Sequence, residues 1–117
     1  MPETGLLDPS SARRIAAGLD LRPTKQRGQN FVVDANTVRR IVALSSIGPD
    51  DVVLEIGPGL GSLTLGLLEV ARAVTAVEID DRLAGRLGTT VTQRLGPQAA
   101  ARLDVVAADA LAVTDLP

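Results

Sequence analysis

Three acidic residues of this chain each stand at or near the end of a short apolar run. Glu55 lies in the first run, Glu78 ends the second, and Asp109 follows the third. If these runs are parallel strands of one sheet, their carboxyl ends meet at the same edge, which is where such sheets bind ligands. Carboxylates at that edge can accept hydrogen bonds from hydroxyl or amino groups, or balance a positive charge. The pattern therefore predicts a ligand site.

A cluster of glycines follows the first run. Gly57, Gly59 and Gly61 occupy alternate positions. Glycine accepts positive φ and lets a ligand approach the main chain without a Cβ clash, although a tight strand-to-helix turn can also need glycine for packing alone. The cluster departs from the dinucleotide fingerprint G-x-G-x-x-G, because that fingerprint needs a glycine where Ser62 stands. No Gly-Lys-Ser/Thr follows the glycines, which excludes a P-loop.

The acidic residues narrow the choice of ligand. Glu78 stands 21 positions after Gly57, where an acidic side chain can accept hydrogen bonds from both ribose hydroxyls. Glu55 would repel a pyrophosphate but suits an ammonium or sulfonium group, which favours S-adenosylmethionine over NAD. Asp109 either accepts a hydrogen bond from an adenine amino group or caps the element that follows it.

The elements that position these residues alternate between strand and helix patterns. Strand patterns lie at 51–57, 73–80 and 102–111, and helix patterns lie at 10–20, 34–48, 62–73 and 81–96. We expect residues 1–10 to be a flexible leader and residues 21–34 to be a loop. Asp34 is the expected N-cap of the second helix, and Gly48 and Pro49 its expected end. The alternation predicts an α/β fold, the first half of a doubly wound parallel sheet with three strands.

The composition excludes several other kinds of site. The chain has no Cys or His, and Phe31 is its single aromatic residue. We therefore predict no metal site, no disulfide, and no catalysis by a Cys/His or Ser/His/Asp arrangement. No apolar run approaches the roughly 20 residues that a membrane span needs. The N-terminus is too polar for a signal peptide, so we expect a cytoplasmic protein with no membrane partner.

Four motifs, in this order and spacing, resemble the small-subunit ribosomal RNA adenine dimethyltransferases. They are KQRGQNFVVD, VLEIGPGLGSLT, AVEID and ADAL, and the resemblance covers residues 21–116. It implies a Rossmann-like S-adenosylmethionine-dependent methyltransferase that dimethylates two adjacent adenosines of 16S rRNA. The alternatives are a large-subunit methyltransferase of the macrolide-resistance type and a non-catalytic nucleotide-binding Rossmann module.

The resemblance also implies roles for residues before the first strand. Gln29 and Asn30 would lie over the methionine end of the cofactor, and the main chain near Val32, where leucine is usual, would also contact it. This part of the chain has an excess of basic residues. Lys25 and Arg27 would therefore meet RNA phosphates.

Further roles implied by the resemblance fall on the strand ends. Glu55 lies in the cofactor site, Gly57, Gly59 and Gly61 lie against the methionine moiety, Glu78 takes the ribose and Asp109 the adenine. Glycine is usual in the family at the position before that last acid, where Ala108 stands here.

The family's target-base motif, Asn-Leu-Pro-Tyr, follows a fourth strand and is not found in these 117 residues. We therefore expect residues 1–20 to be a leader with a short helix, and residues 21–117 to be the N-terminal half of the S-adenosylmethionine-binding domain. On this interpretation the catalytic motif and the C-terminal domain are absent and the fragment is inactive. Its first strand, 52–56, would expose an apolar edge that favours self-association.

Overall fold

The computed structural model describes residues 5–7 and 34–114. The helix predicted at 10–20 and nearly all of the loop predicted at 21–34 lie outside the described residues. So do five of the predicted site residues, namely Lys25, Arg27, Gln29, Asn30 and Val32.

The described chain alternates between helices and strands. Its elements are α1 (Ala35–Leu44), β1 (Val52–Ile56), α2 (Ser62–Leu68), β2 (Ala73–Glu78), α3 (Asp81–Leu95), α4 (Pro97–Ala100), β3 (Leu103–Ala107) and a 3₁₀ helix (Ala110–Ala112). The strands form one parallel sheet in the order β1-β2-β3. The predicted α/β fold with three parallel strands is therefore confirmed; the short helix α4 was not predicted.

The core lies between one face of this sheet and the helices. Val53 pairs with Val74, and side chains at alternate positions of a strand share a face. Val74 is fully buried in a cluster that includes Leu65 and Leu68 of α2 and Val91 of α3. Both helices therefore pack against the same face of the sheet.

The opposite face of β1 is open. Val52, Leu54 and Ile56 alternate along this strand and are between 50% and 65% exposed. Because β1 pairs with β2 alone among the described strands, its other edge also has unpaired main-chain groups. An apolar, unpaired edge of this kind is prone to pair with another strand.

Helix α1 begins as predicted and ends earlier. The Asp34 side chain accepts a hydrogen bond from Thr37 N at 2.8 Å, which confirms this residue as the N-cap. The predicted end at Gly48 is wrong, because the helix ends at Leu44 and Ser46 adopts the left-handed conformation (φ 57°). A left-handed residue directly after a helix stops its propagation.

Helix α2 is also shorter than predicted. It ends at Leu68 instead of residue 73. Arg102, which precedes β3, donates to the main-chain oxygens of Leu68 and Ala71 at 2.7 and 2.6 Å. Beyond the helix, Arg72 N donates to the Asp51 oxygen at 2.8 Å, which directs the chain into β2. A long-range contact, invisible in the local sequence pattern, thus sets the end of this helix.

Helix α3 begins and ends close to the predicted range of 81–96. Asp80 is the N-cap, and its side chain accepts hydrogen bonds from the main-chain N–H groups of Arg82 and Leu83. Leu87 and Val91, four residues apart on this helix, are buried. Within residues 5–7 and 34–114, no helix is long and apolar enough to cross a membrane.

Residues 5–7 differ from the flexible leader predicted over residues 1–10. Leu7 is buried in the core, and Gly5 N donates to the Arg94 oxygen at 2.9 Å. The Arg94 guanidinium in turn donates to the main-chain oxygens of Gly5 and Leu6 at 2.8 and 2.7 Å. A buried arginine near the end of α3 therefore holds this segment against the helices.

At Gly66 of α2, the main chain lies close to side chains of α1. A Cβ at this position would collide with Cγ1 of Val38, which is buried on α1. Valine has few rotamers, so it cannot swing away at low cost. The glycine that weakens the helix pattern therefore allows two helices to pack together.

We expect Gly66→Ala to lower the free energy of unfolding by about 1–3 kcal/mol, because the added methyl group overpacks the contact with Val38. Gly85→Ala is the matched control, since Gly85 lies inside α3 and a Cβ there meets nothing within 4 Å. We expect this control to raise the free energy of unfolding by about 0.5–1 kcal/mol through helix propensity. Urea denaturation measures both, and a stabilising Gly66→Ala would contradict the packing argument.

Candidate functional site

The parallel register brings two of the predicted acidic residues together. Glu55 pairs with Ala76, so Glu78 lies two residues further along the neighbouring strand and on the same face. The glycine turn follows β1 directly, and the Gly57 N–H donates to the Val77 oxygen at 2.8 Å. Glu55, the turn and Glu78 therefore lie at one end of the sheet.

The three glycines of the turn all have left-handed φ angles, but they differ in their surroundings. Gly57 has φ 71° and Gly59 has φ 60°, and a Cβ at either position would meet nothing within 4 Å. A Cβ at Gly61 would lie 2.7 Å from Cδ1 of Leu87. The first two glycines thus leave open space beside the main chain, whereas a Cβ at the third would press against Leu87 of α3.

Glu78 holds the turn in place. Its Oε1 accepts a hydrogen bond from Gly59 N at 3.1 Å, and its Oε2 accepts one from Asp80 N at 3.0 Å. The residue is 5% exposed. A carboxylate has about four acceptor sites, so each oxygen can still accept one further hydrogen bond. Glu78 therefore has acceptor sites left for two further hydrogen bonds while it anchors the turn.

Glu55 is a buried carboxyl group that accepts a short hydrogen bond. It is 7% exposed, and its Oε1 accepts a hydrogen bond from Thr64 Oγ1 at 2.5 Å. Burial raises the pKa of Glu55 to about 6, the hydrogen bond from Thr64 opposes this rise, and the negative charge of Glu78 adds to it. A cation placed beside Glu55 would favour its ionised form, because opposite charges stabilise each other.

Asp109 occupies the third strand end, as predicted, and caps the element that follows it. It is exposed, and its Oδ1 accepts a hydrogen bond from Leu111 N at 2.9 Å at the start of the 3₁₀ helix. The neighbouring Ala108 N donates to the Glu78 oxygen at 3.0 Å, so this segment adjoins β2. The capping interpretation of Asp109 therefore holds, and its role toward adenine stays a prediction.

A cavity of about 270 Å³ lies between α1, β1 and α2. Its lining is apolar apart from Ser45 and Glu55, and comprises Ile41, Val42, Ser45, Ile47, Val53, Leu54, Glu55, Ile56, Leu63 and Leu67. The glycines and Glu78 do not line it. Glu55 lines this cavity and precedes the glycine turn by two residues. Among the described residues, no group of three or more acidic side chains is placed to hold a metal ion.

Thr64 is the functional candidate that the sequence analysis did not single out. It is fully buried on α2 and contacts Glu55. The available signal was a polar residue on the buried side of a short apolar helix, three positions after the last glycine. That signal gains meaning only when β1 and α2 are known to pack together.

One known family matches most of the chain. The family described as "Ribosomal RNA adenine dimethylase" matches residues 21–115. "Ribosomal RNA small subunit methyltransferase A" of Cutibacterium acnes is 62% identical over 117 residues, which are 100% of this chain and 39% of that protein. The chain thus spans about two fifths of the length of this curated relative.

Two solved structures combine a similar fold with a related sequence. The 23S rRNA methyltransferase ErmE is 39% identical with a TM-score of 0.60, over 73% of this chain and 32% of that one. A dimethyladenosine transferase from Plasmodium falciparum is 27% identical with a TM-score of 0.61, over 72% of this chain and 29% of that one. The α/β sheet described above is thus a methyltransferase fold of the Rossmann-like type.

Proposed function

Because this chain belongs to the ribosomal RNA adenine dimethylase family, we propose that it is the S-adenosylmethionine-binding part of an rRNA adenine N6,N6-dimethyltransferase. The observation that supports this most directly is the buried Glu55 carboxylate beside an open glycine turn. Buried charges need a partner of opposite sign, and a ligand with an ammonium and a sulfonium group provides one. A dinucleotide would instead bring two further negative charges to this carboxylate.

The residues of the site fit such a ligand. The main chain at Gly57 and Gly59, which has open space beside it, lies against the methionine moiety, and Glu55 balances its positive charge. Glu78 accepts the ribose hydroxyls with its two remaining acceptor sites. Asp109 accepts from the adenine amino group. In this proposal four further residues complete the cofactor site. Gly61 contributes through its packing, and Gln29, Asn30 and Val32 lie at the methionine end of the cofactor.

When bound, S-adenosylmethionine supplies an electrophilic methyl group. The role of this chain is to orient that group and to exclude alternative positions of the cofactor. Holding a reactant in one orientation in this way lowers the barrier to its reaction. We assign no catalytic residue to the chain, because an adenine drawn out of a stack needs an aromatic clamp and Phe31 is the single aromatic residue. The chain alone is therefore proposed to bind the cofactor weakly and to be inactive.

The proposed substrate of the whole protein is a pair of adjacent adenosines in 16S rRNA of the small ribosomal subunit. The small-subunit relative is 62% identical, whereas the 23S rRNA methyltransferase ErmE is 39% identical, which favours the small subunit. Because both of these relatives are methyltransferases, a non-catalytic nucleotide-binding module is the weaker alternative. Lys25 and Arg27 would contact RNA phosphates, and the protein would act in the cytoplasm, where ribosomal subunits are found.

We expect calorimetric titration of this chain to detect S-adenosylmethionine and not NAD. Glu78→Ala should weaken this binding about tenfold or more, because it removes charged acceptors of two hydrogen bonds. Asp104→Ala is the matched control, since Asp104 is an exposed carboxylate on β3 and should leave the affinity unchanged. Circular dichroism must accompany the titration because Glu78 also anchors the turn. Binding of NAD alone would overturn the proposal.

The affinity should also depend on pH. With the pKa of Glu55 at about 6, the carboxyl group is mostly protonated at pH 5 and mostly ionised at pH 7. A cationic ligand prefers the ionised form, so binding should tighten by about tenfold between these values. Glu55→Gln should weaken binding at pH 7 and remove most of the dependence. A wild-type affinity that is constant over this range would contradict the role given to Glu55.

The substrate can be tested with a chimera in which this chain replaces the matching segment of the Cutibacterium acnes relative. We expect the chimera to transfer labelled methyl groups from S-adenosylmethionine to 16S rRNA in small subunits and to leave large subunits unlabelled. Mass spectrometry of the product should detect dimethyladenosine at two adjacent positions. The same chimera with Glu78→Ala should lose most of this activity. Labelling confined to the large subunit would overturn the small-subunit assignment.

The open edge of β1 supports a further proposal, namely that this chain self-associates. Its exposed apolar side chains and unpaired main chain offer a second copy a strand to pair with. Light scattering at high concentration should detect dimers or larger species. Leu54→Lys should shift the chain toward the monomer, whereas Leu111→Lys, at an exposed position in the 3₁₀ helix, should not. A wild-type chain that stays monomeric would contradict the proposal.

A further inference from the structure

The hydrogen bond between Thr64 and Glu55 joins two elements at the proposed site. Thr64 is on α2 and Glu55 on β1, and the donor and acceptor oxygens are 2.5 Å apart. Serine and threonine hydroxyls in helices often donate to the main-chain oxygen of the preceding turn. Here the hydroxyl reaches across to a strand and contacts a carboxylate that is 7% exposed.

The charges around Glu55 give the Thr64 hydroxyl a large effect on whether the Glu55 carboxyl group is ionised. From β2 the carboxylate of Glu78 faces it, and the sequence of α2 contains no charged residue. The arginines of α1, Arg39 and Arg40, are exposed, and Arg39 pairs with Glu69. Within the described part of the chain, Glu55 forms no salt bridge. The hydrogen bond from the Thr64 hydroxyl therefore lowers the pKa of Glu55, whereas burial and the charge of Glu78 raise it.

We propose that Thr64 is a positioning residue, whose hydroxyl fixes the orientation of the Glu55 carboxylate and keeps it ionised for a cationic ligand. This inference rests on the proposed function, because the ligand that benefits is S-adenosylmethionine. A donor hydrogen bond stabilises the charged form of a carboxyl group more than its neutral form. It also selects one orientation of the group before the ligand arrives, which lowers the cost of binding.

A purely structural role for Thr64 gives a different expectation. If the residue only fills space between α2 and the sheet, then Thr64→Val, which has the same shape and no hydroxyl, should leave the ionisation of Glu55 unchanged. Thr64→Ser is the opposite variant, since it retains the hydroxyl and removes a methyl group. Shape and hydrogen bonding can thus be separated at one position.

The first arm of the test needs no ligand. Carboxyl ¹³C NMR follows the titration of Glu55 between pH 4 and 8 in the whole chain, with Glu55→Gln used to assign its signal. We expect Thr64→Val to move the midpoint upward by about one pH unit and Thr64→Ser to move it by less than about 0.3 units. If Thr64→Val does not fold, Thr64→Ala provides the same comparison. An unchanged midpoint in the folded variant without the hydroxyl overturns the inference.

The second arm measures the calorimetric affinity for S-adenosylmethionine between pH 5 and 8. We expect Thr64→Val to weaken binding about fivefold at pH 7 and to shift the pH dependence upward, and Thr64→Ser to restore both. If the wild type binds and Thr64→Val binds equally with the same pH profile, the inference alone is overturned. If the wild type does not bind at any pH, the proposed function fails, and with it the ligand part of this inference.

Discussion

The arrangement of the candidate site depends on the Glu78 carboxylate. One of its oxygens accepts a hydrogen bond from Gly59 in the turn after β1, and the other accepts from Asp80 at the start of α3. A single buried side chain therefore ties together a glycine turn, the end of β2 and the N-terminus of a helix. Because hydrogen bonds to an ionised group are stronger than neutral ones, this link keeps a flexible glycine segment ordered. The group that holds the turn is also the group proposed to hold the ribose.

The second constraint is the cost of burying Glu55 close to Glu78. Burial disfavours the ionised form of Glu55, and the negative charge of Glu78 on the neighbouring strand adds to that penalty. The hydrogen bond from Thr64 compensates in part, and the pKa of the carboxyl group is about 6. Such a group has little use in a packed core, where an apolar residue would be more stable. Its presence at the carboxyl end of a parallel sheet is typical of a site that binds a positively charged ligand.

The glycines of this chain perform different tasks, although they look alike in the sequence. Gly57 and Gly59 face open space, which suits the approach of a ligand to the main chain. Gly61 instead avoids Leu87, and Gly66 avoids Val38 where two helices meet. The two interpretations of a glycine-rich turn, ligand approach and close packing, are therefore both right, at different positions. The distinction comes from neighbours that are distant in sequence.

The sequence by itself determined the alternation of the three strands with α1, α2 and α3, the parallel sheet, and the acids at its carboxyl edge. Periodicity, N-caps and strand-ending acids are local properties, so they can be read along the chain. Only the tertiary structure decided where α2 ends, since Arg102, which lies between α4 and β3, donates to the main-chain oxygen of its last residue. It also decided that residues 5–7 pack against Arg94, and that Glu55 is buried beside Thr64. These outcomes depend on contacts between distant residues, which no local pattern contains.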